Sequence, residues 1–141
     1  IDSKILEDEC FKYFINTFLT TINKELTKNY IIEKIKYIQV HQIRVYTDSE
    51  DEVNLVPEGI HQDGYNFIAM CCVSRRNVSG GISHIYDESK NIAHSVQLQE
   101  GEMLIVNDNK MFHSVSPIQL NKTSKKVKTG YRDVLIFTSI S

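Results

Sequence analysis

Excess positive charge, long apolar runs and an even set of cysteines are all missing from this chain of 141 residues. The formal net charge is −2, so the overall balance does not advertise a nucleic-acid partner, which would be held chiefly through neutralised phosphates. The chain has no apolar run of the roughly twenty residues that a membrane-spanning helix needs, and no charged-then-apolar leader is apparent, so we expect a cytoplasmic address. The three cysteines are Cys10, Cys71 and Cys72. An odd count with a vicinal pair inside an apolar run predicts buried, reduced thiols rather than a disulfide framework. Neighbours on a strand point to opposite faces, so Cys71 and Cys72 make a poor metal pair. Repeats and low-complexity segments are absent too, and Lys122, Lys125, Lys126 and Lys128 read as a hydrated loop. Length allows one domain, 1–141. The chain opens on Ile1, from which we expect that part of the N-terminus is missing.

Two kinds of periodicity fill this length. Ile5, Phe11, Phe14, Ile15, Phe18, Leu19, Ile22 and Leu26 recur at three- and four-residue spacing, which predicts one amphipathic helix or two, capped by Asp2 or Ser3 and buttressing a sheet. Residues 29–36 read as a short helix or a connection, which makes 1–36 a helical layer and 37–141 the β core. Strands are predicted at 37–46, 65–74, 82–86, 93–98, 103–106, 112–116 and 131–140, separated by turn residues such as Gly80-Gly81 and Asp87-Glu88-Ser89-Lys90-Asn91. Short strands at this pitch fit an all-β barrel or sandwich. The acidic Asp48-Ser49-Glu50-Asp51-Glu52 is predicted to be an exposed loop.

Chemistry concentrates in His61-Gln62-Asp63, with Phe112-His113 and Tyr131-Arg132 downstream. On a strand, residues i and i+2 leave the same face, so His61 and Asp63 can offer an imidazole nitrogen and a carboxylate oxygen to one metal. His113, fifty residues beyond Asp63, can add a second imidazole from a distant strand. Two histidines and one carboxylate occupy one face of an octahedron and leave the opposite positions open, the arrangement of non-haem Fe(II) oxygenases; Zn(II) accepts the same donors. The blander reading of His-x-Asp is a hydrogen-bonding pair. Arg132 opens the apolar strand Val134-Leu135-Ile136-Phe137, and a buried guanidinium wants an anion, either a bidentate carboxylate or the neighbouring Asp133. His84 and His94 have no carboxylate at i+2 and read as ordinary strand or loop residues.

Ile60-His61-Gln62-Asp63-Gly64, Arg76-Asn77-Val78-Ser79-Gly80-Gly81, Asn107-Asp108 ahead of Phe112-His113-Ser114-Val115-Ser116-Pro117, and Tyr131-Arg132-Asp133-Val134-Leu135 together resemble the 2-oxoglutarate/Fe(II)-dependent dioxygenases, among them the bacterial free L-amino-acid hydroxylases of the isoleucine dioxygenase type. His41-Gln42-Ile43-Arg44 resembles a segment of those enzymes as well, so the likeness runs from His41 to the C-terminus. It implies a double-stranded β-helix, or jelly roll, behind N-terminal helices of which some are missing here. His61, Asp63 and His113 would bind Fe(II), and Arg132 would hold the distal carboxylate of 2-oxoglutarate. It also implies O2 as a reactant and hydroxylation of an unactivated C–H bond in a small substrate, a free aliphatic L-amino acid, with release of succinate and CO2. The chain departs from the family at Val134, where many members carry a Ser or Thr that shares the carboxylate; Tyr46 or Tyr65 would have to substitute.

Substrate contacts are read from one strand. Gln42, Arg44 and Tyr46 share a face; if that face looks into the barrel, Arg44 meets a substrate carboxylate or assists 2-oxoglutarate and Gln42 adds a hydrogen bond, while the plainer reading of Arg44 is a structural salt bridge. Arg75 and Arg76 are ambiguous in the same way: either one of the adjacent pair faces inward, or both lie at the rim. Within the same chemistry the competitors are a peptidyl hydroxylase and an AlkB-type nucleic-acid oxygenase, although the latter carries an arginine six residues after its 2-oxoglutarate arginine, where this chain has Thr138. A competitor of another class is a non-catalytic jelly-roll protein holding a structural or sensory metal.

Overall fold

The computed structural model describes residues 3–28 and 35–140; the segment read as a helix or connection at 29–36 therefore falls mostly outside the described residues, as does Asp2. A 3₁₀ turn, Ser3–Glu7, leads into one helix, α1, Glu9–Lys28. Its cap is neither of the residues named above but Asp8, whose Oδ1 accepts a hydrogen bond from the Phe11 amide at 2.9 Å and so satisfies one of the orphan donors of the first turn. Phe11, Phe14, Phe18, Ile22 and Leu26 are buried along a single stripe, as the spacing predicts. Among the described residues no helix is long and apolar enough to cross a membrane.

Among the described residues nine strands follow: β1 Tyr37–Thr47, β2 Phe67–Arg76, β3 Val78–Gly80, β4 Ser83–Tyr86, β5 Ile92–Val96, β6 Met103–Asn107, β7 Phe112–Val115, β8 Ile118–Leu120 and β9 Gly130–Ile140. They form antiparallel sheets in the orders β1-β9-β2-β6, β5-β4-β7 and β3-β8. β3 and β8, three residues each, escape a reading based on alternation because alternation needs four or more positions to show.

The four-stranded sheet has two apolar faces, so its central strands read as continuous apolar runs. One face, through Phe67, Ala69, Cys71, Leu135 and Phe137, packs on α1. Phe137 is fully buried, with ring centroids of Phe11 and Phe18 each 5.9 Å away; truncating such a residue costs about 3–5 kcal/mol, so this layer anchors β9. The other face, through Ile68, Met70, Cys72 and Val106, meets Ile85 and Leu98 of the opposite layer. Cys71 and Cys72 are free, buried and on opposite faces, while Cys10 is free and exposed. Burial pushes the Cys71 thiol up to about 12, so it behaves as an inert apolar side chain.

A register shift between Cys72 and Ser74 interrupts the β2–β9 ladder. The extra residue reverses the alternation. Beyond it Arg75 stands opposite Arg132 and turns inward, donating to the carbonyls of Leu98, Val78 and Gly80 at 3.0–3.3 Å, whereas Arg76 is exposed.

Candidate metal centre

His61 and His113 are brought together by an antiparallel bridge in which each backbone amide donates to the other's carbonyl, at 3.0 and 2.9 Å. Their rings lie 4.3 Å apart. Asp63 reaches both: its Oδ1 is 3.1 Å from His61 Nε2 and its Oδ2 is 3.5 Å from His113 Nε2. One ligating atom from each of the three residues lies within 4.8 Å of the others. Donors around one divalent ion at about 2.1 Å stand roughly 3 Å apart when adjacent, so two of these separations are already close to a coordination edge. The segment is not the strand that the i, i+2 argument supposed. Past the single bridge at His61 the chain turns, with Gly64 at φ +84°, and the turn aims Asp63 at the imidazoles.

Both imidazoles present a nitrogen suited to a metal. His61 Nδ1 lies 2.9 Å from the Gly59 carbonyl; a carbonyl only accepts, so Nδ1 carries the proton and Nε2 keeps its lone pair. His113 is buried, and that burial pushes it below the ordinary imidazole value, outweighing Asp63, which works upward; His61 adds to the lowering. A neutral imidazole is the ligating form.

The three residues open onto a cavity of about 410 Å³ between the layers, walled by apolar side chains including Ile43, Val45, Leu55, Val56, Met70 and Ile136. Arg132 lines the same cavity at 6% exposure, and its Nε has no hydrogen-bond partner among the described residues. Desolvation leads the downward pull on its pKa, with Arg75 adding to it. An anion entering here would meet a buried guanidinium with an unsatisfied Nε, which fits a carboxylate. The neighbouring Asp133 does not serve: it faces the other way and is held by Arg44 Nε and Nη2 at 2.6 Å each.

That pairing also corrects the substrate-contact reading. Arg44 is exposed, engaged with Asp133 and stacked 4.5 Å over the Tyr131 ring, and Gln42 lies on the helix side near Cys10, Phe11 and Leu135. The condition on which both residues depended is not met, because His41, Ile43 and Val45 are the residues of β1 that line the cavity. Tyr46 is likewise exposed. Tyr65 does line the cavity, with its hydroxyl donating to Gln39 Oε1 at 3.1 Å. Thr138, which sequence reasoning noticed only as an absent arginine, lines it too. Its hydroxyl is buried and has no partner among the described residues.

Gly81 makes room for Arg132. It sits at φ +66°, and a Cβ there would stand 3.2 Å from Arg132 Cδ and 3.3 Å from Nε. Gly81→Ala is therefore expected to raise the concentration of any anion needed to saturate Arg132, by displacing its guanidinium, with a backbone cost of about 1 kcal/mol or more. Anion affinity measured by calorimetry, beside the melting temperature, checks this; unchanged affinity would show that the side chain accommodates the methyl group.

The 2OG-Fe dioxygenase family model matches residues 1–138. Among solved structures, a bsmA homologue from Methylobium petroleophilum PM1 is similar at 26% identity and a TM-score of 0.64, covering 74% of this chain and 41% of its own. IDO from Bacillus thuringiensis is similar at 21% identity and TM-score 0.63, covering 90% and 62%. The Fe(II)/(alpha)ketoglutarate-dependent dioxygenase TqaL is similar at 20% and 0.60, covering 72% and 40%. The chain thus spans less than two thirds of the length of each. No curated protein matches the sequence. With a family match over nearly its whole length and a His-Asp-His group at the mouth of a cavity, the chain belongs to the 2OG-Fe dioxygenases, a family whose chemistry draws on Fe(II), 2-oxoglutarate and O2.

Proposed function

We propose that this chain forms the catalytic core of an Fe(II)- and 2-oxoglutarate-dependent hydroxylase acting on a small substrate, a free aliphatic L-amino acid. The observation that carries the reading is Arg132: a buried guanidinium whose Nε has no hydrogen-bond partner among the described residues, lining the same cavity as His61, Asp63 and His113. In this reading residues 1–141 are one domain, the sheets form a double-stranded β-helix, and α1 buttresses it. His61, Asp63 and His113 hold the iron, and Arg132 takes the distal carboxylate of 2-oxoglutarate. When bound, Fe(II) with 2-oxoglutarate and O2 supplies the oxidation: one oxygen atom enters a C–H bond, the other goes to succinate, and CO2 is released.

The chain's own residues bind, orient and keep water out. The apolar wall favours an aliphatic body. Glu58 lines the cavity, with Oε1 3.8 Å from His61 Nε2, and offers a carboxylate to a substrate ammonium. The Thr138 hydroxyl offers a hydrogen bond to the substrate's polar end. Thr138→Val is expected to raise the substrate KM about three- to tenfold, the worth of one hydrogen bond, without lowering the melting temperature, because the hydroxyl it removes has no partner among the described residues. A substrate KM that stays put removes Thr138 from recognition.

The reading is tested with anaerobically Fe(II)-loaded protein given 2-oxoglutarate, O2 and a panel of free L-amino acids, following succinate and products one oxygen atom heavier by mass spectrometry. Matched succinate and hydroxylated amino acid support it. Succinate with no amino-acid product keeps the oxygenase and moves the substrate to peptides or nucleic acids.

A further inference from the structure

We infer that Asp108 is the positioning residue of the metal centre, one buried carboxylate that fixes both the turn carrying Asp63 and the imidazole of His113. It rests on the metal-site reading above and goes beyond it, since Asp108 is not one of the three ligating residues.

Asp108 follows β6 and is 1% exposed. Its Oδ2 accepts three consecutive backbone amides, from Asp63 at 3.0 Å, Gly64 at 2.7 Å and Tyr65 at 3.0 Å, and Oδ1 lies 3.2 Å from the first. Three successive N–H groups converging on one point require a concave backbone, which the positive φ of Gly64 provides. The grip extends to both sides of the turn: the Asp108 carbonyl accepts from Gln62 Nε2 at 2.7 Å, and its amide donates to the Asn66 carbonyl at 3.1 Å. Asp108 thus holds every residue from Gln62 to Asn66, with Asp63 among them.

The same carboxylate turns toward the second histidine. Oδ1 stands 3.5 Å from His113 Nδ1, just outside the ordinary hydrogen-bond range of about 2.7–3.2 Å, and Nδ1 has no hydrogen-bond partner among the described residues. A carboxylate there accepts and does not donate, so it selects the tautomer with the proton on Nδ1 and leaves Nε2, the nitrogen beside Asp63, free to ligate. Only a side chain with two acceptor oxygens serves both functions at once. Asparagine keeps an oxygen for the backbone amides but sets an NH2 against Nδ1, a donor against a donor.

Two measurements on the full chain test this. The first needs no metal: the imidazole ¹⁵N shifts of His113 at alkaline pH are expected to report the Nδ1–H form in the parent protein and a shift toward Nε2–H in Asp108→Asn. The second is Co(II) titration followed by its d–d absorption, with affinity expected to fall roughly ten- to hundredfold in Asp108→Asn and the band shape to change. Ser139→Ala is the control for stability, because it removes the equally buried hydrogen bonds of Ser139 Oγ with the Phe67 amide and carbonyl, at 3.0 and 3.3 Å, at a residue that does not line the cavity and touches neither Asp63 nor His113. An unchanged His113 tautomer in Asp108→Asn overturns the inference, and so does an equal loss of Co(II) affinity in Ser139→Ala at matched stability. If the parent protein binds no Co(II), the metal-site reading fails, while the tautomer measurement still decides the role of Asp108.

Discussion

Alanine at position 63 is expected to leave a folded protein that no longer holds iron and no longer makes succinate. Asp63 is the one carboxylate in the proposed ligand group, and without it two imidazoles remain to hold a dication. Its side chain is a third exposed, and among the described residues its polar contacts are with the two histidines. The turn itself is held through the Asp63 amide, which alanine retains, so Asp108 keeps its three donors. Melting temperature should stay close to that of the parent while Co(II) binding and Fe(II)-dependent turnover disappear. Normal turnover in Asp63→Ala would sink the assignment of this residue.

Arg132→Ala is expected to act on a different step. Losing a charge-assisted, two-pronged contact is worth on the order of 1.5–3 kcal/mol, roughly ten- to hundredfold in affinity, so the apparent KM for 2-oxoglutarate should rise by about that factor while turnover at saturation falls less. The buried guanidinium has no anion among the described residues to lose, since Asp133 belongs to Arg44. Its removal relieves desolvation and leaves a cavity, and these oppose each other in stability. Arg132→Lys separates charge from shape: lysine keeps the positive charge without the fork and should fall between. An unchanged 2-oxoglutarate requirement in the alanine variant would reject Arg132 as the anchor.

The proposed ligand residues and Arg132 stand out in the chain because metal and carboxylate chemistry restrict residue types strongly. Which face of a strand looks inward is a different kind of fact. On β1 the alternation is plain, yet Gln42 and Arg44 are as polar as His41, and the choice between faces is made by pairing: Val45 stands opposite Arg132, and Arg44 opposite Asp133. The irregularity after Cys72 reverses parity without any glycine or proline to mark it. Asp8 caps α1 although earlier polar residues suit the task as well by type. Asp108 gives no local sign either, because its partners lie more than forty residues upstream, and a buried carboxylate in a turn reads like any surface turn residue until those amides are seen.

Binding of 2-oxoglutarate in the absence of O2, followed by calorimetry with and without Fe(II), tests most directly whether these four side chains make one centre. Binding that requires Fe(II), disappears in Asp63→Ala and weakens ten- to hundredfold in Arg132→Ala is the predicted result; equal binding with and without the metal, or binding indifferent to both substitutions, would contradict it.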